Sequence, residues 1–90
     1  MKATHVKALP EYNISVAFDD GLHGIIDFKE LVSNGIFQPL KDEKVFSGVY
    51  TTGYSIAWSD ELEIDALTIY AELLNKHPEA VLKTGSYASN

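Results

Sequence analysis

The chain has 90 residues, 46% of them hydrophobic and 22% charged, and no cysteine. That length allows one small domain burying roughly 60 to 65% of the surface its unfolded form exposes, and it is read as a single α+β domain over residues 1–83 with a flexible tail at 84–90. The absence of cysteine excludes disulfides, thiol nucleophiles and thiolate metal sites. The net charge of −6 comes from 13 acidic residues against 7 basic ones, all lysines; without guanidinium groups to fork onto phosphates or guanine edges, direct nucleic-acid binding is disfavoured. An acidic surface favours solubility or a basic protein partner. No apolar run reaches the length of a membrane span, and the opening Met1-Lys2-Ala3-Thr4-His5 lacks the apolar core of a secretory signal. The expected setting is the cytoplasm.

In chain order, the mixed run Lys2 to Leu9 reads as a first strand that ends at the turn pair Pro10-Glu11. The strongest pattern follows. Tyr12, Ile14, Val16 and Phe18 alternate with Asn13, Ser15 and Ala17, the period of a strand with one buried face. Asp19-Asp20-Gly21 interrupts it. A three-residue loop with Gly21 left-handed pairs Phe18 with Leu22, Val16 with Gly24, Ile14 with Ile26 and Tyr12 with Phe28, so that both strands turn their apolar residues to one side. A two-residue loop would set Val16 opposite Ile25 and expose Ile26 and Phe28. Burial selects the first register.

Asp27 is placed to cap a short helix from Phe28 to Ser33, ended by Asn34-Gly35. Ile36, Phe37, Pro39 and Leu40 form an apolar connector that proline keeps from being helical. Asp42 opens a single turn through Phe46, with Val45 and Phe46 on the core and Gly48 closing it. Val49 to Thr52 and Ser55 to Trp58 read as two strands around Gly53, and Trp58 covers the edge of the core. Asp65 caps the last long helix, Ile64 packs on Ile69 as a staple, and Leu67, Tyr70, Ala71 and Leu74 form the inward face. His77 before Pro78 is the expected exit, with one further turn from Pro78 to Lys83 anchored by Val81 and Leu82. The expected fold is therefore α+β, a small antiparallel sheet of about five strands in the order β-β-β-α-β-β-α packed by the C-terminal helix.

Residues able to carry chemistry have simpler structural uses. Asp60, Glu61, Glu63 and Asp65 supply oxygen ligands for a hard cation, but their spacing is not that of a calcium loop. They read as a solvated helix entry favoured by the helix dipole. Asp19 and Asp20 read as solvated turn residues with Gly21, since acid–base work requires environments that split two carboxylates. The histidines at 5, 23 and 77 lack the helical spacing that puts two ligands on one face. Ser33 and Ser47 have no base placed by sequence, and no nucleophile-elbow, phosphate-loop or zinc-protease motif occurs. No catalytic, cofactor or metal site is assigned. Tyr50 and Tyr54 either finish the small core or, with Ile69 and Leu73 off the inward helix face, form the candidate interaction surface.

The ordered series Phe18-Asp19-Asp20-Gly21, Gly24-Ile25-Ile26-Asp27-Phe28, Gly35-Ile36-Phe37-Gln38-Pro39-Leu40-Lys41-Asp42, then Phe46, Trp58 and Asp65 resembles the bacterial family of short proteins catalogued as domain of unknown function 2442. The likeness runs from Val6 to Tyr70. The family's pattern continues past the tryptophan into an acidic-leucine-proline helix start, whereas Ser59-Asp60-Glu61-Leu62-Glu63-Ile64-Asp65-Ala66 lacks the proline. The resemblance implies a small α+β fold, no defined catalytic residue and, for some relatives, a place as the smaller half of a toxin-antitoxin type module. The function expected is a non-enzymatic interaction module, antitoxin-like, that binds a protein partner or itself. The alternative is a carboxylate-dependent metal-binding accessory protein or enzyme.

Overall fold

A computed structural model describes residues 2–75 and the backbone of residues 80–81. Three antiparallel strands open the chain: β1 (Ala3–Leu9), β2 (Asn13–Phe18) and β3 (His23–Asp27). The β2–β3 register is the expected one, with Ile14 opposite Ile26 and Val16 opposite Gly24. The amide of Phe18 donates to the Leu22 carbonyl at 2.8 Å and Gly21 sits at φ +92°. Alternation therefore delivers Ile14, Val16, Phe18, Ile26 and Phe28 to the core, all at most 3% exposed, and leaves Ile25 half exposed.

The β1–β2 turn is tighter than a Pro-Glu pair suggests. Glu11 and Tyr12 both adopt positive φ, 62° and 60°, a conformation costly for residues with a Cβ. Asn13 bridges the turn, its side-chain amide donating to the Pro10 carbonyl at 3.1 Å. Tyr12 is held from the far side, its hydroxyl donating to the Lys41 carbonyl and its ring lying edge-on to Phe46 at 5.3 Å.

Two short helices follow, α1 (Lys29–Val32) and α2 (Glu43–Phe46). Between them Gly35–Lys41 winds as a 3₁₀ helix with Pro39 inside it. The expectation that proline keeps this connector non-helical is corrected: fixed φ suits the 3₁₀ turn, and the Pro39 carbonyl accepts from the Asp42 amide at 3.3 Å. Phe37 and Leu40 are buried there while Ile36 faces solvent. In α2, Phe46 reaches the core as expected; Val45 does not, being 41% exposed.

The second sheet contains β4 (Tyr50–Thr51), β5 (Ser55–Ala57) and β6 (Glu63–Asp65), in the order β4-β5-β6. The α+β class stands, with the strands shared between two sheets. Strand β6 was not expected: Glu63-Ile64-Asp65 reads as a helix entry, yet it continues a period-two pattern of Leu62, Ile64 and Ala66 against Glu61, Glu63 and Asp65. Tucked between β4 and β6, β5 is buried at all three positions. The two sheets meet where the Ala3 amide donates to the Gly53 carbonyl at 2.8 Å.

Helix α3 (Ala66–Leu74) follows β6 directly and packs against β3 and β5. Its inward face is Ala66, Ile69 and Leu73, with Tyr70 half buried beside them; Leu67, Ala71 and Leu74 point outward. This reverses the expected face. Both sets satisfy helical spacing, and the phase is set by β6, where Ile64 already points inward and the capped Asp65 starts the helix. Residues 80–81 form β7 (Ala80–Val81), parallel to β3, in place of the expected helical turn there. His77 and the 84–90 tail lie outside the described residues.

One core joins these parts. Phe28, Phe46 and Trp58 make mutual ring contacts at 5.8 to 6.2 Å, and the Trp58 indole nitrogen donates to the Phe46 carbonyl at 3.0 Å. That bond satisfies the polar end of a side chain at the core's edge.

Candidate functional site

The expected turn residues do more than turn. The Asp19 carboxylate accepts from the Lys2 amide at 3.1 Å, and Asp20 accepts from the Leu22 amide at 3.0 Å, an Asx turn that holds Gly21 at the bend. Both are exposed, as expected of a hairpin tip. What sequence reasoning missed is that the Tyr70 hydroxyl, from α3, donates to the second oxygen of Asp20. The phenol shifts Asp20 below the usual carboxylate range, and the carboxylate shifts Tyr70 above the usual phenol range. Both shifts lead away from the values suited to proton transfer near neutral pH.

Asp65 caps α3 as expected, whereas the residue flanking the start of α1 is Phe28, with no side-chain cap bond, so Asp27 is not the cap of that helix. Asp27 accepts from the Lys29 amide at 2.8 Å, one position ahead of the first residue flanking α1, and Asp65 accepts from the Leu67 amide at 2.9 Å. Asp42, in the same role, accepts from the Lys44 amide at 2.9 Å. The ion pair between Lys29 and Asp27, at 3.4 Å, is open to solvent and adds little.

The acidic quartet is divided by the fold. Asp60 and Glu61 lie in the loop before β6, whereas Glu63 and Asp65 project from the strand on either side of buried Ile64. Among the described residues no group of three or more histidine or acidic side chains is placed to hold a metal ion. His5 and His23 are exposed on β1 and β3.

Of the four residues expected at an interaction surface, Tyr50 and Tyr54 are exposed and Ile69 and Leu73 are not. Ile69 is fully buried and Leu73 3% exposed, since the β6 alternation turns them under α3. Their place outside is taken by Leu67 and Leu74, exposed at 63% and 62%. Tyr54, 67% exposed, meets Leu67 across an open apolar hollow of about 350 Å³ that Ala66 and Asp65 complete. The ammonium of Lys2 stands 5.3 Å from the Tyr54 ring centre. Apart from Asp65, the residues lining the hollow are apolar or aromatic.

A second depression, about 390 Å³, lies between the strained β1–β2 turn and α2, lined by Ala8, Leu9, Pro10, Tyr12, Glu43, Phe46 and Ser47. No helix among the described residues is long and apolar enough to cross a membrane.

A family model described as "Protein of unknown function (DUF2442)" matches residues 3–75. No curated protein and no solved structure matches the chain.

Proposed function

The chain belongs to the DUF2442 family, and from that premise we propose that it is a non-catalytic protein-interaction module acting through the outward side of α3 and the neighbouring edge of the second sheet. One observation carries the proposal: α3 is apolar on two sides, burying Ala66, Ile69 and Leu73 while presenting Leu67 and Leu74 to solvent beside Tyr54. A surface helix normally keeps one side polar, and contiguous exposed apolar residues with a polar rim mark interaction sites.

In its finer form the module is antitoxin-like, a partner in a bacterial two-gene pair that covers a basic surface in the cytoplasm. The net charge of −6 supports this form. Self-association through the same side of α3 is the variant. Direct nucleic-acid binding is not proposed, in keeping with an acidic chain without arginine.

Capture of the tagged chain from native lysate of its source cells, in parallel with Leu67→Asp, tests the reading. The parent retains a stoichiometric partner and the variant loses it. A parent that brings down no stoichiometric protein and stays monomeric in light scattering removes the proposal.

A further inference from the structure

Strand β6 ends the order β4-β5-β6, so one of its edges is unpaired among the described residues. Which backbone groups face that edge follows from its neighbours. The Ala66 amide donates to the Tyr54 carbonyl and the Trp58 amide to the Leu62 carbonyl, both at 2.9 Å, and Ile56 lies opposite Ile64 midway between them. Hydrogen-bonded and non-bonded pairs alternate along an antiparallel ladder. Residues 54/66, 56/64 and 58/62 are therefore the bonded pairs, and the amide and carbonyl of Glu63 and the amide of Asp65 point away from β5. Two donors and one acceptor thus line the open edge.

The edges at β4 and β1 are less open. β4, at the opposite end of the sheet, lies alongside β1, joined through Ala3 and Gly53. β1 carries a register shift between Ala3 and His5 and runs into Pro10, features that blunt strand addition.

We infer that the β6 edge, with the Tyr54–Leu67 hollow at its Asp65 end, receives an extended basic segment of a partner protein by strand addition. Charge decides the occupant. Glu63 and Asp65 project from the same face, about 7 Å apart at the rise of a strand, so an added strand sets two of its alternate side chains across from carboxylates. Lysine or arginine there forms opposite-charge cross-strand pairs. An apolar residue at the end of the segment enters the hollow between Tyr54 and Leu67. A second copy of the chain is the poorer occupant, since two β6 strands would put Glu63 and Asp65 against each other.

This inference rests on the interaction-module reading and narrows it to a surface and a partner chemistry. The probe is a seven-residue peptide alternating lysine with valine, titrated into ¹⁵N-labelled protein alongside its glutamate-for-lysine counterpart. Amides of residues 54 and 63–67 shift with the lysine peptide only. Leu67→Asp and Glu63→Lys, both at exposed positions, each weaken binding by about tenfold or more, while Ile36→Asp, on an exposed apolar residue of the 3₁₀ helix, leaves it unchanged. Retained spectral dispersion shows that the variants are folded.

The inference is overturned by no shift at all, by equal response to the glutamate peptide, or by shifts centred on β1 or on the depression beside α2. If the intact chain nevertheless captures a stoichiometric partner from lysate, the module reading survives and only this surface is wrong. If capture fails and the chain is monomeric, the module reading itself falls.

Discussion

Tyr70 and Asp20, 50 residues apart in sequence, are joined by a hydrogen bond from the phenol to the carboxylate that fastens the tip of the β2–β3 hairpin to α3. The Tyr70 ring also lies edge-on to Phe18 at 5.0 Å, so the fastening has an apolar half beneath its polar half. Tyr70→Phe removes only the polar half.

The pH dependence of that substitution is fixed in sign. The folded-state pKa of Asp20 is lowered, so its contribution is present above the ordinary carboxylate value and is lost as pH falls through the lowered one. The folded-state pKa of Tyr70 is raised, so its contribution is complete below the ordinary phenol value and is lost as pH rises through the raised one. The urea midpoint of Tyr70→Phe accordingly falls below that of the parent at neutral pH, and the gap narrows in acid, below the ordinary carboxylate value. An equal gap at both pH values would contradict the bond.

Gly21 is required for its backbone and not for space. A Cβ there would meet nothing within 4 Å, but φ is +92°. Gly21→Ala should cost about 1–2 kcal/mol in chemical denaturation. A neutral result would show that the loop adopts another conformation in solution.

The orientation of α3 is tested by a pair of truncations. Ile69 is fully buried, so Ile69→Ala should cost about 2–5 kcal/mol. Leu67→Ala, at a residue 63% exposed, should stay within about 0.5 kcal/mol of the parent. The reverse ranking would mean that the helix is rotated to bury Leu67.

The left-handed pair at Glu11 and Tyr12 predicts a stabilising change. Glycine at position 11 relieves strain of about 1–2 kcal/mol against an entropic cost of about 0.5–1 kcal/mol. Glu11→Gly should therefore be neutral or more stable by up to about 1 kcal/mol. A loss of about 1 kcal/mol or more would show that Glu11 is not left-handed.

The hairpin was legible in the sequence because two independent signals, alternation and a glycine at the bend, demanded one register. The cap at Asp65 and the turn opened by Asp42 were legible for a similar reason, a short acid before a helical turn, whereas Asp27 stands one residue too early to cap α1. β6 was hidden by its brevity and its charge: Glu63 and Asp65 read as a helix entry, and only Ile64 between them gave the period of a strand. Missing β6 lost the phase of α3, whose apolar residues fit two faces equally well, and so Ile69 and Leu73 were expected where Leu67 and Leu74 stand. Tyr54 is compatible in sequence with either surface or core, and its neighbour Leu67 reads as an inward helix residue. The Asp20–Tyr70 bond has no local signal, since it exists only once the hairpin and α3 are packed.

The most direct measurement of the interaction-module claim is light scattering coupled to size exclusion on the tagged chain purified from its source cells at low ionic strength. A mass well above the 10.0 kDa of one chain, with a second polypeptide or a second copy in stoichiometric amount that Leu67→Asp releases, is the predicted result. A single-chain mass for the parent under every condition, identical to that of the variant, would contradict it.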